Sequence, residues 1–425
     1  MRTSILIFSA ILLFVNSGMP LLSMDRIQKN FRVAFVGDPQ VNDSRELDYA
    51  RKSVYRELRE RGDIDLVIFL GDIVNDSMDL MEPSRASMDS LPCPWATVPG
   101  NHDFDIYSGK KAVSKQPGRT RDLVTYRKIF GSPDTTFTAD GIRFILMNDL
   151  QYEENSYRGG FTACQTEFLD SVITCSDGQR MLVLATHIPY SEIKDRYVTD
   201  SLLSLFKGDI LLVGGHTHTV RREDLDLPGA GQAHQLTAGA TCGSWWRGKA
   251  DRYSVPYALQ NCGSPRGYFI ADFRKNGYTL SYKCIGRDKS DVVSVRSEDV
   301  QDDSVKLTAN IFGGAVEGKV EIKSRGLADG RWLDLELNGE PAPEVLDVIS
   351  ERDSMSREER REKKNEIIPL RRLASPHVWS VTVPENSAGL AGIKKVKIRY
   401  EDRHMKFRKT VSIQQEPTEQ TSRRP

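Results

Sequence analysis

Five short apolar runs in the first half of the chain each end in a cluster of polar residues. The runs cover residues 31–36, 66–70, 96–98, 181–185 and 210–213. Apolar runs of this length, bounded by glycine and polar residues, predict buried strands. Because an α/β sheet gathers its loops at the carboxyl ends of its strands, the polar clusters are expected to meet on one rim.

Helical periodicity separates these strands. Leu47, Ala50, Val54 and Leu58 recur at helical spacing within residues 44–62, and Asp43 or Ser44 can cap the start. Further predicted elements are helices over 165–173 and 201–206 and strands over 143–148, 235–240, 268–273 and 278–283. The pair Asn276-Gly277 indicates a hairpin between the last two strands. Residues 30–286 are therefore predicted to form an α/β domain of layered sheets, a β-sandwich flanked by helices.

The pattern of apolar and polar residues changes after a polar stretch at residues 287–304. Short alternating strands follow, predicted over residues 305–311, 318–322, 332–337, 378–383, 396–400 and 407–413. This spacing is typical of a β-sandwich, so residues 305–414 are expected to form a smaller C-terminal β-sandwich-like domain. A charged helical segment at 356–366 is interpreted as solvated, with a binding arm as the alternative. Residues 415–425 are expected to be a disordered tail.

The N-terminus predicts export. Met1-Arg2 precedes an apolar run at residues 5–15, which is shorter than the roughly 20 residues that span a bilayer. Residues 1–23 are therefore expected to be a cleaved signal peptide, with a buried N-terminal helix as the alternative. The product would be periplasmic or secreted, without an integral membrane segment after cleavage.

Charge and cysteine content add two limits. The chain of 425 residues carries 59 basic and 59 acidic side chains, so nothing in its charge indicates a nucleic-acid or anionic-membrane partner. Its six cysteines permit disulfides in an exported protein but do not fix their pairing. Buried free thiols are the alternative.

The polar clusters combine carboxylate, amide and imidazole groups. They are Gly37-Asp38-Pro39-Gln40, Gly71-Asp72 with Asn75-Asp76, Gly100-Asn101-His102-Asp103, Thr186-His187 and Gly214-Gly215-His216-Thr217-His218. Such oxygen and nitrogen donors on one rim make a binuclear metal site the leading interpretation.

This series resembles the calcineurin-like metallophosphoesterases, whose motifs run D-x-H, GDxxxD, GNH(D/E), H and GHxH. The likeness extends from Asp38 to His218 with one departure, since Gln40 stands where that family has histidine. It continues through AGATCGSWW from Ala238 and GSPRGY from Gly263, a pattern similar to bacterial members with an added C-terminal domain.

The resemblance implies two divalent metal ions, drawn from Mn, Fe and Zn. It implies that a metal-bridging hydroxide hydrolyses a phosphodiester or an organic phosphomonoester. The implied ligands are Asp38, Asp72, His218 and the amide oxygen of Gln40 at the first metal, and Asp72, Asn101, His187 and His216 at the second. An amide oxygen is a poorer donor than imidazole, so Gln40 favours manganese or iron over zinc.

Other residues receive roles beside the metals. The resemblance makes His102 the non-ligand histidine that faces the substrate, with Asp103 or Asp76 to orient it, and His102 and Asp103 are predicted to be the catalytic residues. Trp245, Trp246 and Arg247 lie in a glycine-flanked segment soon after GHTH, where one indole could stack on a sugar or base while the guanidinium meets an anion. Tyr190 is a further candidate for substrate contact. Packing in the core or between domains is the alternative for the tryptophans.

Two classes of function follow. The favoured class is a metal-dependent phosphoesterase whose partner is a phosphorylated small molecule or a phosphodiester. The alternative is a glycan- or partner-binding secreted protein whose metal domain is degenerate because of Gln40. Nucleic-acid processing is disfavoured, since no basic run accompanies the motifs.

Overall fold

The protein is described by a computed structural model over residues 30–106, 121–153, 156–300, 304–324, 327, 330–384 and 394–415. The predicted signal peptide lies outside the described residues. So does the predicted tail, except for Gln415, which ends the last strand.

Fifteen described strands belong to the first part of the chain. In chain order they are β1 (Phe31–Val36), β2 (Leu66–Phe69), β3 (Trp95–Thr97), β4 (Asp105–Ile106), β5 (Arg121–Asp122), β6 (Thr135–Ala139), β7 (Ile142–Leu146), β8 (Leu150–Glu153), β9 (Ser156–Gly159), β10 (Met181–Ala185), β11 (Asp209–Gly214), β12 (Val220–Leu227), β13 (Gly231–Ala238), β14 (Gly267–Arg274) and β15 (Gly277–Cys284). The hairpin predicted at Asn276-Gly277 is confirmed, because it joins β14 to β15.

The helices surround these strands or follow them. In chain order they are α1 (Ser44–Ala50), α2 (Arg56–Glu60), α3 (Met81–Asp89), α4 (Val124–Phe130), α5 (Ala163–Thr174), α6 (Tyr197–Leu203), α7 (Pro343–Ser354) and α8 (Arg357–Glu362). A π-helical stretch at Arg51–Tyr55 links α1 to α2, so the predicted helix over 44–62 is continuous to Glu60. Asp43 caps its start by accepting a hydrogen bond from Glu46 N at 2.8 Å.

Two sheets form the centre of the first domain. Their strand orders are β15-β14-β1-β2-β3 and β12-β13-β11-β10-β7-β6. The inner faces of both sheets share one apolar core, in which Phe35 and Ile68 of the first sheet pack with Val183 and Val213 of the second. Helices cover the outer faces, with α1 to α3 on the first sheet and α5 and α6 on the second. The predicted layered α/β fold is confirmed.

The strands that precede the polar clusters run parallel within their sheets. β1 pairs with β2, and β2 with β3, in one sheet, while β10 pairs with β11 in the other. Parallel neighbours place their carboxyl ends at the same edge, so all five clusters leave the double layer at one end.

The C-terminal strands close into a barrel. They are β16 (Val293–Val300), β17 (Ser304–Ile311), β18 (Lys319–Lys323), β19 (Leu333–Leu337), β20 (Val378–Pro384), β21 (Lys395–Glu401) and β22 (Lys406–Gln415). Their order is β16-β17-β20-β19-β18-β21-β22, and parallel pairing of β22 with β16 completes the ring. The expected C-terminal β domain is therefore confirmed, and its strands close into a barrel where a sandwich-like arrangement was expected. β16 occupies the stretch that was predicted to be a polar linker, and α7 was not predicted.

The barrel joins the first domain along β12 and β15. Arg222 of β12 forms a buried ion pair with Asp402, which lies between β21 and β22. The ring of His404 stacks on Tyr278 with centroids 4.2 Å apart, and Leu280 N donates to His404 O at 2.8 Å. The two parts of the chain therefore share a specific polar and aromatic contact.

Two further sequence expectations concern thiols and membranes. All six cysteines lie in the described residues and are free thiols. Cys242, Cys262 and Cys284 are buried, as the alternative expected for some of them, while Cys164 and Cys175 are exposed. Among the described helices, none is both long and apolar enough to cross a membrane.

Candidate metal centre

The five loops bring their polar side chains together at the end of the double layer. Asp38 and Asp72 come from the first sheet, and His187 and His216 come from the second. The ligand atoms of Asp72, His187 and His216 lie within 4.8 Å of one another. Asp38 and His187 are fully buried, and Asp72 is only 2% exposed. Such a concentration of buried polar groups requires partners that neutralise them.

The backbone at this centre adopts an uncommon conformation. Asp38, Gln40, Asp72, His216 and His218 all have positive φ, between 41° and 67°. Left-handed backbone at a non-glycine residue costs on the order of 1–3 kcal/mol and persists only where the surroundings hold it. One such constraint is Gly100, where an added Cβ would lie 2.1 Å from Asp72 Oδ1. The strain is thus concentrated at the residues that the sequence singled out.

His187 is held in one orientation by a backbone carbonyl. Its Nδ1 lies 2.7 Å from Leu70 O, and a carbonyl can only accept, so Nδ1 carries the proton. Nε2 then points at Asn101 Oδ1, 3.1 Å away, and at Asp72 Oδ1, 3.5 Å away. His216 Nδ1 also approaches Nε2, at 3.2 Å. A ring nitrogen among so many acceptors favours a positive charge at that point.

His218 shows the same arrangement on the other side. Its Nδ1 lies 2.6 Å from Gly243 O, so Nδ1 donates and Nε2 faces the centre. Nε2 is 3.7 Å from Asp38 Oδ2, and that oxygen is buried without a hydrogen-bond partner. An orphaned carboxylate oxygen beside an oriented imidazole fits a cation ligand pair.

The electrostatics agree with these contacts. Burial disfavours a charged ring, yet the carboxylate of Asp72 raises the pKa of His187 to about 10. The charge of His187 in turn stabilises the carboxylate of Asp72. It outweighs the effect of burial and holds the pKa of Asp72 below its usual value. Burial disfavours the charged form of Asp38 and so raises its pKa. Burial and the charge of His187 both disfavour a charged His216 ring, and they lower the pKa of His216 to about 3. The cluster thus favours positive charge at its centre, and its oxygen and imidazole donors fit divalent cations.

Gln40 lies within the same cluster. Its Nε2 is 3.4 Å from Asp72 Oδ2 and 3.5 Å from Asn75 Oδ1. Its Oε1 accepts from the buried thiol of Cys242, with Sγ 3.7 Å away. The amide oxygen, which is the atom that binds cations, is therefore turned towards Cys242 and away from Asp72.

The structure separates the two acids considered for orienting His102. Asp76 Oδ2 lies 3.1 Å from His102 Nδ1. Asp103 is fully buried and accepts from the backbone N–H groups of Gly100, Ile73 and Val74 at 2.8 to 3.2 Å. Asp103, predicted as catalytic, therefore holds two loops together, and Asp76 contacts the histidine. Burial disfavours charge on His102, but the contact with Asp76 raises its pKa.

The residues predicted to contact substrate divide into two groups. Trp245 is 41% exposed, with its ring 5.1 Å from that of His218, and Arg247 lines a neighbouring cavity. Trp246 is only 3% exposed, and its Nε1 donates to Pro39 O at 2.9 Å. Tyr190 is only 2% exposed. The structure does not support the prediction for Tyr190, which packs inside the protein, whereas Trp246 is nearly buried but also lines the cavity beside Arg247.

Tyr190 packs on the outer side of the second sheet. Its hydroxyl contacts Thr199 Oγ1 and Asp200 Oδ1, each at 2.8 Å. Both partners belong to α6, which is in the helical layer. The ring therefore joins α6 to the sheet rather than facing the metal centre.

Two residues near the centre were not predicted. Asp149 is fully buried and accepts from His187 N at 3.2 Å and Ile188 N at 2.9 Å, which positions the loop of His187. Asp149 directly follows the predicted strand over residues 143–148. The expectation that polar residues after such strands meet on one rim could therefore have identified it. Tyr157, whose ring lies 5.9 Å from that of His216, gave no signal in the sequence.

Two protein families match the chain. The family described as calcineurin-like phosphoesterase matches residues 31–220. This chain belongs to the calcineurin-like phosphoesterases. The family described as the C terminal of calcineurin-like phosphoesterase matches residues 235–407, which include β14, β15 and the barrel strands β16 to β21. No curated protein matches the chain. Membership implies a hydrolase that cleaves phosphate esters with divalent metals.

Proposed function

We propose that this chain is a binuclear-metal phosphoesterase that hydrolyses a phosphodiester or an organic phosphomonoester. The observation that carries the proposal is the pair of oriented imidazoles. His187 and His218 each place Nδ1 against a backbone carbonyl and turn Nε2 towards carboxylate or amide oxygens. When bound, two divalent cations would supply the attacking hydroxide and neutralise the phosphoryl oxygens.

The ligands divide between two positions around Asp72. The first position would be held by Asp38, Asp72 and His218, and the second by Asp72, Asn101, His187 and His216. Asp72 Oδ1 faces His187 at 3.5 Å, while Oδ2 faces Gln40 Nε2 at 3.4 Å. Its two oxygens are thus directed to different sides, which suits a shared ligand. Manganese, iron and zinc all accept this donor set.

His102 would supply a proton to the leaving group. Its side chain is 31% exposed, in contact with Asp76, and its backbone N–H donates to Asp72 Oδ1 at 2.9 Å. The backbone of His102 is therefore tied to the metal centre, and its imidazole ring contacts Asp76. A carboxylate beside a histidine favours its protonated form, and that form can act as a general acid.

The test uses the full protein with manganese, zinc or iron added to the metal-free form. Elemental analysis should find two ions per chain, and phenyl phosphate should be hydrolysed. Asp72→Asn should lose metal from both positions, because the carboxylate serves both. Asp79→Asn is the matched control, since Asp79 is an exposed residue of the same loop region, and it should bind and hydrolyse as the parent does. Absence of specific metal binding would refute the proposal.

The alternative, a glycan- or partner-binding protein with a degenerate metal domain, rests on Gln40. It predicts no turnover of any phosphate ester with any of the three metals. Metal content and turnover together therefore separate the two functions.

We further propose that the product is periplasmic or secreted. The support is the apolar run at residues 5–15 behind Arg2, which has the length of a signal-peptide core.

A further inference from the structure

A cavity of about 640 Å³ opens beside the candidate metal centre. We refer to it as the side cavity. Its walls come from the start of α1, from the loop that carries Trp245 and Arg247, and from the segment after α8 that contains Lys364. Asn75 also lines it and lies 3.5 Å from Gln40 Nε2. The side cavity is therefore adjacent to the metal centre.

Trp246 fixes the loop that forms one wall. Its backbone N–H donates to Cys242 O at 3.0 Å, and the guanidinium of Arg266 lies 5.4 Å from its ring centroid. Trp245 and Trp246 have φ of 60° and 52°. Because Trp246 is anchored inside, Trp245 is turned outwards, 41% exposed, beside His218. An indole held beside a metal-site histidine is placed to contact a ligand bound at that site, through its flat apolar face.

The C-terminal part of the chain supplies the opposite wall. Gly248 N donates to Asn365 O at 3.3 Å, which ties the tryptophan loop to the segment after α8. Ile368 of the same segment is buried with Leu259 of the first domain. Lys364 is the neighbour of Asn365 and lines the cavity, and its exposed side chain has no hydrogen bond or ion pair among the described residues.

The chemistry of the lining selects among leaving groups. Three carboxylates, three amides and four cations line the cavity together with Trp245. The charges of the lining nearly balance, so it gives no strong preference for a second phosphate. An apolar group would cover these polar side chains without pairing them, which is unfavourable. Hydroxyl groups both donate and accept, so a polyol can pair with all three kinds of side chain.

We propose that the side cavity binds a polyhydroxylated, sugar-like leaving group of the phosphate ester, stacked on Trp245 and paired with Lys364 from the C-terminal part. The inference rests on the proposed phosphoesterase function, because the metal centre places the phosphate at the mouth of the cavity. Hexoses and pentoses share this chemistry, and the two sugar phosphates in the test distinguish them.

The first measurement is kcat/KM on the manganese-loaded protein with glucose 1-phosphate, ribose 5-phosphate and phenyl phosphate. One of the sugar phosphates should be preferred, and which one identifies the ring. Trp245→Ala should lower the ratio of sugar phosphate to phenyl phosphate by about ten- to a hundredfold, as loss of one stacking contact does. Lys364→Ala should lower the same ratio and keeps the test valid if the tryptophan variant folds poorly.

The matched control is Lys363→Ala, which removes the same charge from the neighbouring exposed residue, outside the cavity lining. It should leave all three rates unchanged. If Trp245→Ala and Lys364→Ala change all substrates alike, or change none, the side-cavity proposal is overturned while the phosphoesterase function stands.

A second measurement separates the two proposals. Tryptophan fluorescence of the full protein in EDTA is titrated with free glucose, ribose and phenol, which need neither the metals nor hydrolysis. Tighter binding of a sugar than of phenol, lost in Lys364→Ala, supports the side cavity even if no ester is turned over. Equal binding of all three overturns it.

Discussion

Replacing Asp402 with asparagine is expected to destabilise the protein strongly, because Asp402 is the partner of a buried arginine. Arg222 is fully buried and Asp402 is 4% exposed. The two guanidinium nitrogens donate to the two carboxylate oxygens at 2.8 and 3.0 Å, and Arg222 Nη1 also donates to Gly313 O at 3.0 Å. The contact joins β12 of the first domain to the barrel.

The magnitude follows from what the substitution leaves behind. Asparagine keeps the shape of Asp402 but removes its charge, and arginine cannot lose its proton in exchange. Leaving one member of a buried pair uncompensated costs about 3–5 kcal/mol. Lys249 and Glu351 join the same two parts of the chain at the surface, where they are 75% and 53% exposed. Glu351→Gln should therefore cost less than about 1 kcal/mol.

The assay is urea unfolding at pH 7 for the parent, Asp402→Asn, Glu351→Gln and the double variant Arg222→Met with Asp402→Leu. The double variant should recover most of the loss, since it removes both charges. If Asp402→Asn costs no more than Glu351→Gln, the buried pair does not hold the two domains together and the reasoning is wrong.

The pH dependence provides a second check. Burial alone would raise the pKa of Asp402, but the charge of Arg222 outweighs it and lowers the pKa below its usual value. A carboxyl group whose pKa is lower in the folded state stabilises the protein above its unfolded pKa of about 3.9. That stabilisation is lost as the pH falls through the folded pKa. The difference in free energy of unfolding between the parent and Asp402→Asn should therefore have its full size at pH 7 and decrease below about pH 4.

Three other predictions concern the centre, the tryptophan loop and the N-terminus. Gln40→His should raise the zinc affinity of the first metal position, measured by calorimetry, because imidazole is a better donor than an amide oxygen. The affinity of the second position should stay nearly unchanged. Equal zinc affinities of the parent and the variant would show that Gln40 does not face the first metal. Trp246→Ala should lower the free energy of unfolding by about 3–5 kcal/mol in urea, as loss of a buried aromatic side chain does, and Trp245→Ala should lower it less; the reverse order would contradict the burial. Mass spectrometry of native protein should find an N-terminus after Ser17 or Ser23, and an intact Met1 would contradict export.

The sequence by itself determined the first domain and the contents of its centre. Apolar runs that end in carboxylate, amide and imidazole groups are local features, and parallel strands bring their ends to one edge whatever lies further along the chain. Asp38, Asp72, His187 and His216 were predicted in this way and lie in one cluster. The hairpin at Asn276-Gly277 is equally local, because the turn residues set the backbone conformation.

Closure of the barrel was decided by the tertiary structure. β22 pairs with β16, with Val295 opposite Ile413. Alternating apolar residues identify which face of a strand is buried, and a sandwich and a barrel need the same alternation. The pattern cannot name a partner more than a hundred residues away along the chain.

Side-chain direction was decided in the same way. Trp245 and Trp246 are neighbours with similar backbone angles, yet one is exposed and the other buried, because Pro39 O and Arg266 hold only Trp246. Asp76 and Asp103 are equally plausible partners of His102 in the sequence, but three backbone N–H groups occupy Asp103. These outcomes depend on groups that folding brings together from distant parts of the chain, and a one-dimensional pattern does not contain those distances.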